Sequence, residues 1–197
     1  PVCMTIIKNK HLMKKKITQL LMIAFFAIGA NSIQAQSTVM VGGEKMYPMK
    51  NIIENAVNSK DHTTLVAAVK AAGLVETLQG AGPFTVFAPT NAAFNKLPEG
   101  TVATLLKPEN KQMLTQVLTY HVVAGKMDSK AIMKAIKKGN GMAELKTVSG
   151  GVLVAKMNGE KNITLTDEKG NSSNISLYDV YQSNGVIHVI DSVVLPK

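Results

Sequence analysis

Three histidines, His62, His121 and His188, are the side chains in this sequence best suited to proton transfer or metal binding near neutral pH. None of them has a His, Cys, Asp or Glu four residues away, the spacing that places two metal ligands on one helix face. The later methionines are scattered singly, which is typical of core-filling residues. We therefore predict no metal site and no cofactor.

The sequence also lacks the motifs that are typical of nucleophilic catalysis. Ser149 is followed by Gly150-Gly151 but lacks the rest of a nucleophile elbow. The sequence has no glycine-rich phosphate loop and no paired carboxylate site. Its one cysteine, Cys3, lies near the start, so thiol chemistry is excluded from the remainder. The protein is predicted not to be an enzyme.

The basic residues of the chain are all lysine. There are 22 lysines and no arginine, with a formal net charge of +9. Because base readout and bidentate phosphate recognition favour arginine, nucleic acid is not an expected partner. Four lysines, Lys130, Lys134, Lys137 and Lys138, fall on the outward face of one predicted helix. Such a face either is simply solvated or meets acidic glycans or anionic lipid.

The first 35 residues have the features of a secretory signal peptide. Lys14-Lys15-Lys16 precede an apolar stretch over residues 17–30, and Ala35 supplies a small residue before the expected cut. The stretch is too short to span a bilayer, so no stable membrane span is expected after cleavage. Met4 and Met13 are the candidate start residues; with Met13 as the start, residues 1–12 would precede the protein. Residues 36–49 are predicted to be a linker, and residues 50–197 one domain.

Helical patterns dominate the first half of that domain, and strand patterns dominate the second. Asp61, Thr90, Thr101 and Asp128 or Ser129 are predicted helix N-caps. Strand formers occupy residues 84–88 before Pro89, and glycine turns separate the later strands. The predicted strands after residue 142 lie at 143–148, 152–157, 163–167, 175–181 and 186–194. The predicted class is therefore α+β, with a series of antiparallel hairpins.

Three segments in fixed order resemble the fasciclin domain family. The segment at residues 84–94, FTVFAPTNAAF, resembles the first family signature. The segment at 118–125, LTYHVVAG, resembles the central Tyr-His segment, and residues 184–196, NGVIHVIDSVVLP, resemble the closing signature. Asn184-Gly185 is predicted to form a type I′ hairpin turn.

The resemblance implies a wedge of antiparallel strands flanked by short helices, in an exported bacterial protein with a single domain. Family members are mostly non-enzymatic adhesion modules. In them the Tyr-His pair, here Tyr120-His121, is tied to adhesion, and an Asp-Ile pair before the closing signature is a proposed receptor motif. Asp179-Val180 occupies that place here, although Leu177-Tyr178 departs from the family pattern before it.

The candidate binding residues are therefore Tyr120, His121, Asp179 and Val180. His121 continues the apolar stripe of its helix, which favours a core histidine bonded to backbone, whereas Tyr120 points away from the centre of that stripe. Tyr120 is the better contact candidate of the pair. For Asp179 a capping or turn role is favoured, and for Val180 a place in the core.

Two functions remain open from the sequence. The first is an adhesion or matrix-binding module, periplasmic or at the cell surface, whose partner is a protein or polysaccharide of the envelope or matrix. The alternative is an exported carrier of a small hydrophobic ligand, which the high apolar content favours. The oligomeric state does not follow from the sequence.

Overall fold

The computed structural model describes residues 38–197, which belong to one compact unit. The predicted signal peptide at residues 1–35 and the choice of start residue lie outside the described residues. In the part of the chain that is described, no helix has the length and hydrophobicity needed to cross a membrane.

Short helices fill most of the first hundred described residues. Between residues 38 and 197 they are Ile52–Ala56 (α1), Thr63–Ala72 (α2), Val75–Gln79 (α3), Asn91–Phe94 (α4), Thr101–Leu105 (α5), Lys111–Tyr120 (α6) and Ser129–Lys138 (α7), with 3₁₀ turns at Lys60–His62 and Pro108–Asn110. The caps at Thr90 and Asp128 are confirmed, since each side chain accepts a hydrogen bond from the backbone N–H three residues later. The predicted caps at Asp61 and Thr101 are wrong: Asp61 lies inside a 3₁₀ turn, and Gly100 precedes α5.

The strands of the described residues fall into a small hairpin and one large sheet. They are Val39–Val41 (β1), Glu44–Met46 (β2), Phe84–Pro89 (β3), Val122–Ala124 (β4), Met142–Lys146 (β5), Val152–Asn158 (β6), Asn162–Thr166 (β7), Ser172–Gln182 (β8) and Gly185–Ile190 (β9). The large sheet has the order β4-β3-β9-β8-β7-β6-β5. The predicted α+β class with a β-wedge is confirmed.

The sheet is mixed, because β3 and β9 run parallel, with Phe84 opposite Gly185 and Pro89 opposite Ile190. The expectation of an entirely antiparallel sheet is therefore wrong at this pair. A parallel pair needs a long crossover, and here the intervening chain supplies the four helices α4–α7 and five other strands of the sheet. The remaining strand pairs of the sheet are antiparallel.

Two hydrophobic cores lie on opposite faces of the central strands. On β3, Val86 and Ala88 belong to the core shared with the helices of the first half, whereas Phe87 belongs to the core under α7 and the later hairpins. Alternate residues of β9 divide in the same way. Strands buried on both faces read as nearly continuous apolar runs, and these two strands are interrupted only by Thr85 in β3 and His188 in β9.

The two outer strands of the sheet meet at one end. Beyond β5, Val148 N–H donates to the Val122 carbonyl of β4 at 2.8 Å, and Thr147 pairs with Val123. The sheet therefore curls into a nearly closed wedge.

Residues 38–49, the described part of the predicted linker at 36–49, are not a linker. From residue 39 they fold into the hairpin β1–β2, and Val41 and Met46 are buried in the core beneath it. The backbone of Tyr47 pairs with the buried amide of Asn55 through two hydrogen bonds. The short polar sequence with Gly42-Gly43 favours a linker. The two inward side chains, Val41 and Met46, are too few to show the alternation that predicts a strand.

Gly185 allows the close approach of β9 to β3. A Cβ at Gly185 would lie 2.1 Å from the Phe84 carbonyl oxygen, well inside van der Waals contact. Neither Asn184 nor Gly185 has a positive φ, so the predicted type I′ turn is wrong. The glycine is needed for space and not for backbone conformation.

We expect Gly185→Ala to lower the free energy of unfolding by about 3 kcal/mol, because the methyl group collides with backbone that cannot move without separating the two strands. Gly159→Ala is the matched control: its φ is +76° but its Cβ would meet nothing within 4 Å, so about 1 kcal/mol is expected. Equal midpoints in urea denaturation for the two variants would contradict this account of Gly185.

Candidate functional site

Asn91, in the first signature segment, ties two helical segments together. Its Oδ1 accepts from Thr64 N–H at the start of α2, and its Nδ2 donates to the Lys60 carbonyl and the Thr63 hydroxyl. The orphan N–H groups of a helix start need such acceptors. Asn91 therefore holds α2 against the strand-to-helix corner that follows β3.

Asn184, in the closing segment, does the same for α1 and α3. Its Oδ1 accepts from Ile52 N–H at the start of α1, and its Nδ2 donates to the carbonyls of Leu78 and Gly80 at the end of α3. One amide thus satisfies three backbone groups from two parts of the chain that are distant from it in sequence.

His121 is a core histidine, as predicted. It is 3% exposed, its Nδ1 lies 2.8 Å from the Val117 carbonyl, and its Nε2 accepts from Val194 N–H at 3.3 Å. An acceptor at one ring nitrogen and a donor at the other fix a neutral imidazole with the proton on Nδ1. Burial lowers the pKa of His121 to about 4. Neither nitrogen is left for a metal or a substrate.

Tyr120 is completely buried, which corrects the prediction that it points away from the centre of the apolar stripe as a contact residue. Its ring packs among the second core, and its hydroxyl donates to the Val152 carbonyl at 2.7 Å and accepts from Glu168 N–H at 3.2 Å. Burial raises the pKa of Tyr120 to about 12. The prediction failed because α6 ends between two cores, so both sides of its last turn are covered. In this conformation the side chain cannot contact a partner.

Asp179 and Val180 have the capping and core roles that the sequence favoured. Val180 is 1% exposed. Asp179 lies at an irregularity of β8 with φ of +58°, and its Oδ1 accepts from Ser129 N–H at 2.6 Å while its Oδ2 accepts from the Ser129 hydroxyl. Asp179 therefore binds the first turn of α7, where Asp128 is the N-cap. The four predicted binding residues do not form one surface.

His188 and His62 are buried too, and burial lowers the pKa of each. His188 stacks on Phe87, places Nε2 2.9 Å from the Met127 carbonyl and accepts from Asp179 N–H at Nδ1. His62 pairs through Nδ1 with the Ser59 hydroxyl at 2.8 Å, whereas its Nε2 has no hydrogen-bond partner within residues 38–197. Among residues 38–197, no group of three His, Cys, Asp or Glu side chains could hold a metal ion.

An exposed lysine face on α7 is the main charged feature of the described surface. Lys130, Lys134, Lys137 and Lys138 are all exposed, whereas Ile132 and Ile136 on the opposite side of the helix are fully buried. Residues 126–161 carry eight lysines and three acidic residues, although the described chain as a whole carries 17 lysines and 13 acidic residues. The net positive charge of the domain is therefore concentrated in the segment that contains α7, β5 and β6, and four of its eight lysines lie on the exposed face of α7.

An apolar cavity of about 70 Å³ lies between the helices of the first half and the sheet. Its walls come from α1, α2, α3, β3, α6 and β4, and almost every atom that faces it is carbon. A smaller cavity of about 30 Å³ lies beside His62, and Ile52, Ala56, Leu65 and Val86 line both. Sequence periodicity could not reveal either cavity, because the lining residues are ordinary core residues from many elements.

Comparison with known proteins gives one consistent relationship. A family model described as the Fasciclin domain matches residues 60–196. Protein sll1483 of Synechocystis is 48% identical over 145 residues, which are 74% of this chain and 73% of that protein. The cell surface glycolipoprotein MPB83 of Mycobacterium bovis is 32% identical over 149 residues, covering 76% of this chain and 56% of that protein.

The fold has a solved counterpart as well. The structure of a FAS1 domain pair from the insect cell adhesion molecule fasciclin I superposes with a TM-score of 0.66 at 17% sequence identity. The match covers 74% of this chain and 51% of that one.

The buried histidines predict acid sensitivity. The folded state keeps His121 neutral down to about pH 4, whereas the unfolded chain binds a proton near pH 6.5. Between pH 6.5 and 4 the unfolded state binds a proton that the folded state does not. The contribution of His121 to the free energy of unfolding is therefore fully present above about pH 6.5 and is lost as the pH falls toward 4. His121 alone should account for about 3 kcal/mol, and His62 and His188 act in the same direction. Urea denaturation between pH 7.5 and 4 measures the slope, and a stability independent of pH would contradict it.

Tyr120→Phe tests the structural role of the hydroxyl. Removing it leaves the Val152 carbonyl and Glu168 N–H without their partner, so the free energy of unfolding should fall by about 1–3 kcal/mol. Tyr178→Phe is a control with a less buried hydroxyl that accepts one hydrogen bond, from Ile163 N–H. If Tyr120→Phe had the smaller effect, the anchoring role of Tyr120 would be wrong.

Proposed function

Because the chain belongs to the fasciclin domain family, we propose that it is an exported module that binds an acidic polysaccharide of the cell envelope or the matrix and performs no catalysis. Export is supported by the predicted signal peptide. It is also supported by two similar proteins, of which one is a cell surface glycolipoprotein and the other a cell adhesion molecule.

A role in binding is supported by how the polar residues of the family segments are used. The side chains of Asn91, His121 and Asn184 form hydrogen bonds with backbone groups inside the domain, as described above. These segments therefore build a rigid scaffold and leave recognition to other exposed side chains. Function in such a scaffold belongs to the surface that it displays.

The observation that carries the proposal is the lysine face of α7. Lys130, Lys134 and Lys138 recur every fourth residue, so their attachment points follow one another along the helix at intervals of about 6 Å. The helix is held firmly, because Asp128 and Asp179 bind its first turn and two isoleucines anchor it. A row of cations with evenly spaced attachment points complements an extended polymer that carries carboxylates at regular intervals.

The energetics suit a weak, additive contact. Each exposed lysine contributes little when it pairs with one carboxylate, and salt screens the pair. A polymer that meets several lysines at once adds these contributions without a pocket. Binding by this face should therefore weaken steeply as ionic strength rises.

The test replaces Lys130, Lys134 and Lys138 together by Gln. The variant should bind alginate, a polymer of uronic acids, at least tenfold more weakly than the parent at low salt, because three ion pairs are lost. Surface plasmon resonance at 20 and 150 mM NaCl measures both the loss and the salt dependence. Neutral dextran should not bind to either protein.

A matched variant separates position from net charge. Lys45, Lys107 and Lys169 are exposed lysines from elsewhere on the domain, and their replacement by Gln lowers the net charge by the same amount. This control should retain nearly full alginate binding. Equal losses in the two triple variants, or tighter binding to anionic lipid vesicles than to alginate, would rule out an acidic polysaccharide site on α7.

A further inference from the structure

We propose that the larger apolar cavity binds an anionic amphiphile, with its alkyl chain between α2, α3 and β4 and its carboxylate beside Lys70. This inference is independent of the lysine face on α7. It rests on the composition of the cavity walls, on the charge at its mouth and on its size.

The walls can accept only an apolar group. Ile53 comes from α1, Val69 from α2, Leu74 and Leu78 from the region of α3, and Val122 from β4. His121 also faces the cavity, but both of its ring nitrogens are already hydrogen-bonded to backbone. An alkyl chain placed here leaves no polar group of either partner unsatisfied. A polar ligand would lose its hydration without compensation.

The mouth has a different character from the walls. Among the lining residues, Lys70, Thr77 and Thr119 have polar side chains that reach the surface, and Lys70 is exposed. Within the described residues, no acidic side-chain oxygen lies within 4 Å of the Lys70 ammonium group. The four-carbon stem of lysine can lie along apolar surface while its charge stays in water. Lys70 can therefore pair with a carboxylate whose chain enters the cavity, which selects an anionic head group over a neutral or cationic one.

The size of the cavity limits the length of the chain. About 70 Å³ is roughly half the volume of the engineered cavity that admits benzene. A linear chain with a narrow cross-section fits such a space better than a ring, and its outer methylene groups can lie in the partly open mouth. Each methylene that becomes buried should raise the affinity about fourfold.

The experiment titrates the purified chain with straight-chain carboxylates from pentanoate to decanoate, below the concentrations at which they form micelles. Calorimetry should show affinity rising about fourfold per methylene and then reaching a plateau once the cavity is filled. Methyl NMR should show shifts at Val69, Leu74 and Val122, whereas Ile163 in the other core should not shift.

Two variants locate the parts of the ligand. Lys70→Gln should weaken octanoate about fivefold while leaving octan-1-ol unchanged, because only the carboxylate pairs with the ammonium group. Lys107→Gln, which changes an exposed lysine elsewhere, should leave both ligands unaffected. Val66→Phe fills the cavity from its wall and should abolish octanoate binding while the melting temperature and the binding of alginate stay close to those of the parent.

Several results would overturn the proposal. The first is the absence of octanoate binding up to its solubility limit. The second is a Lys70→Gln variant in which the affinities for octanoate and octan-1-ol change by the same factor. The third is octanoate binding that survives in a folded Val66→Phe variant. Each leaves the alginate experiment unaffected, so failure here and failure of the polysaccharide site can be told apart.

Discussion

The parallel pairing of β3 with β9 is the constraint on which the rest of the domain depends. It joins a strand from the first half of the described chain to the last strand of the sheet, so it brings together segments about one hundred residues apart in sequence. The two strands approach so closely that Gly185 cannot carry a side chain. Since both strands are buried on both faces, the two hydrophobic cores share them and cannot form independently.

Polar side chains near these strands complete the scaffold by satisfying groups that the helices leave unpaired. Asn91 and Asn184 bind helix ends on one side of the sheet, and Asp179 binds the start of α7 on the other. Because these interactions are internal, the polar side chains of Asn91, Asn184 and Asp179 are not available to a partner. The two features that we propose for binding are the exposed lysines on α7 and the apolar cavity between the helices and the sheet.

The sequence predicted the parts of the fold that depend on local chemistry. Thr90 and Asp128 cap their helices through short-range hydrogen bonds, and the apolar stripe placed His121 inside. Predictions failed where the outcome depends on contacts between distant segments. Tyr120 is buried because β6 and the turn after β7 cover it, and β1–β2 is ordered because a core elsewhere in the chain accepts Val41 and Met46. The cavity could not be predicted for the same reason, since residues from six elements line it and no single element shows a pattern for it.

The contact between Val148 and Val122 has a consequence for how the protein behaves at high concentration. Outer strands with free N–H and C=O groups can recruit a strand from another molecule and so begin the growth of fibrils. Here the two outer strands of the large sheet turn toward each other and occupy part of one another's hydrogen-bonding potential. The curl of the sheet thus shortens a template for self-association while leaving the faces of the molecule open.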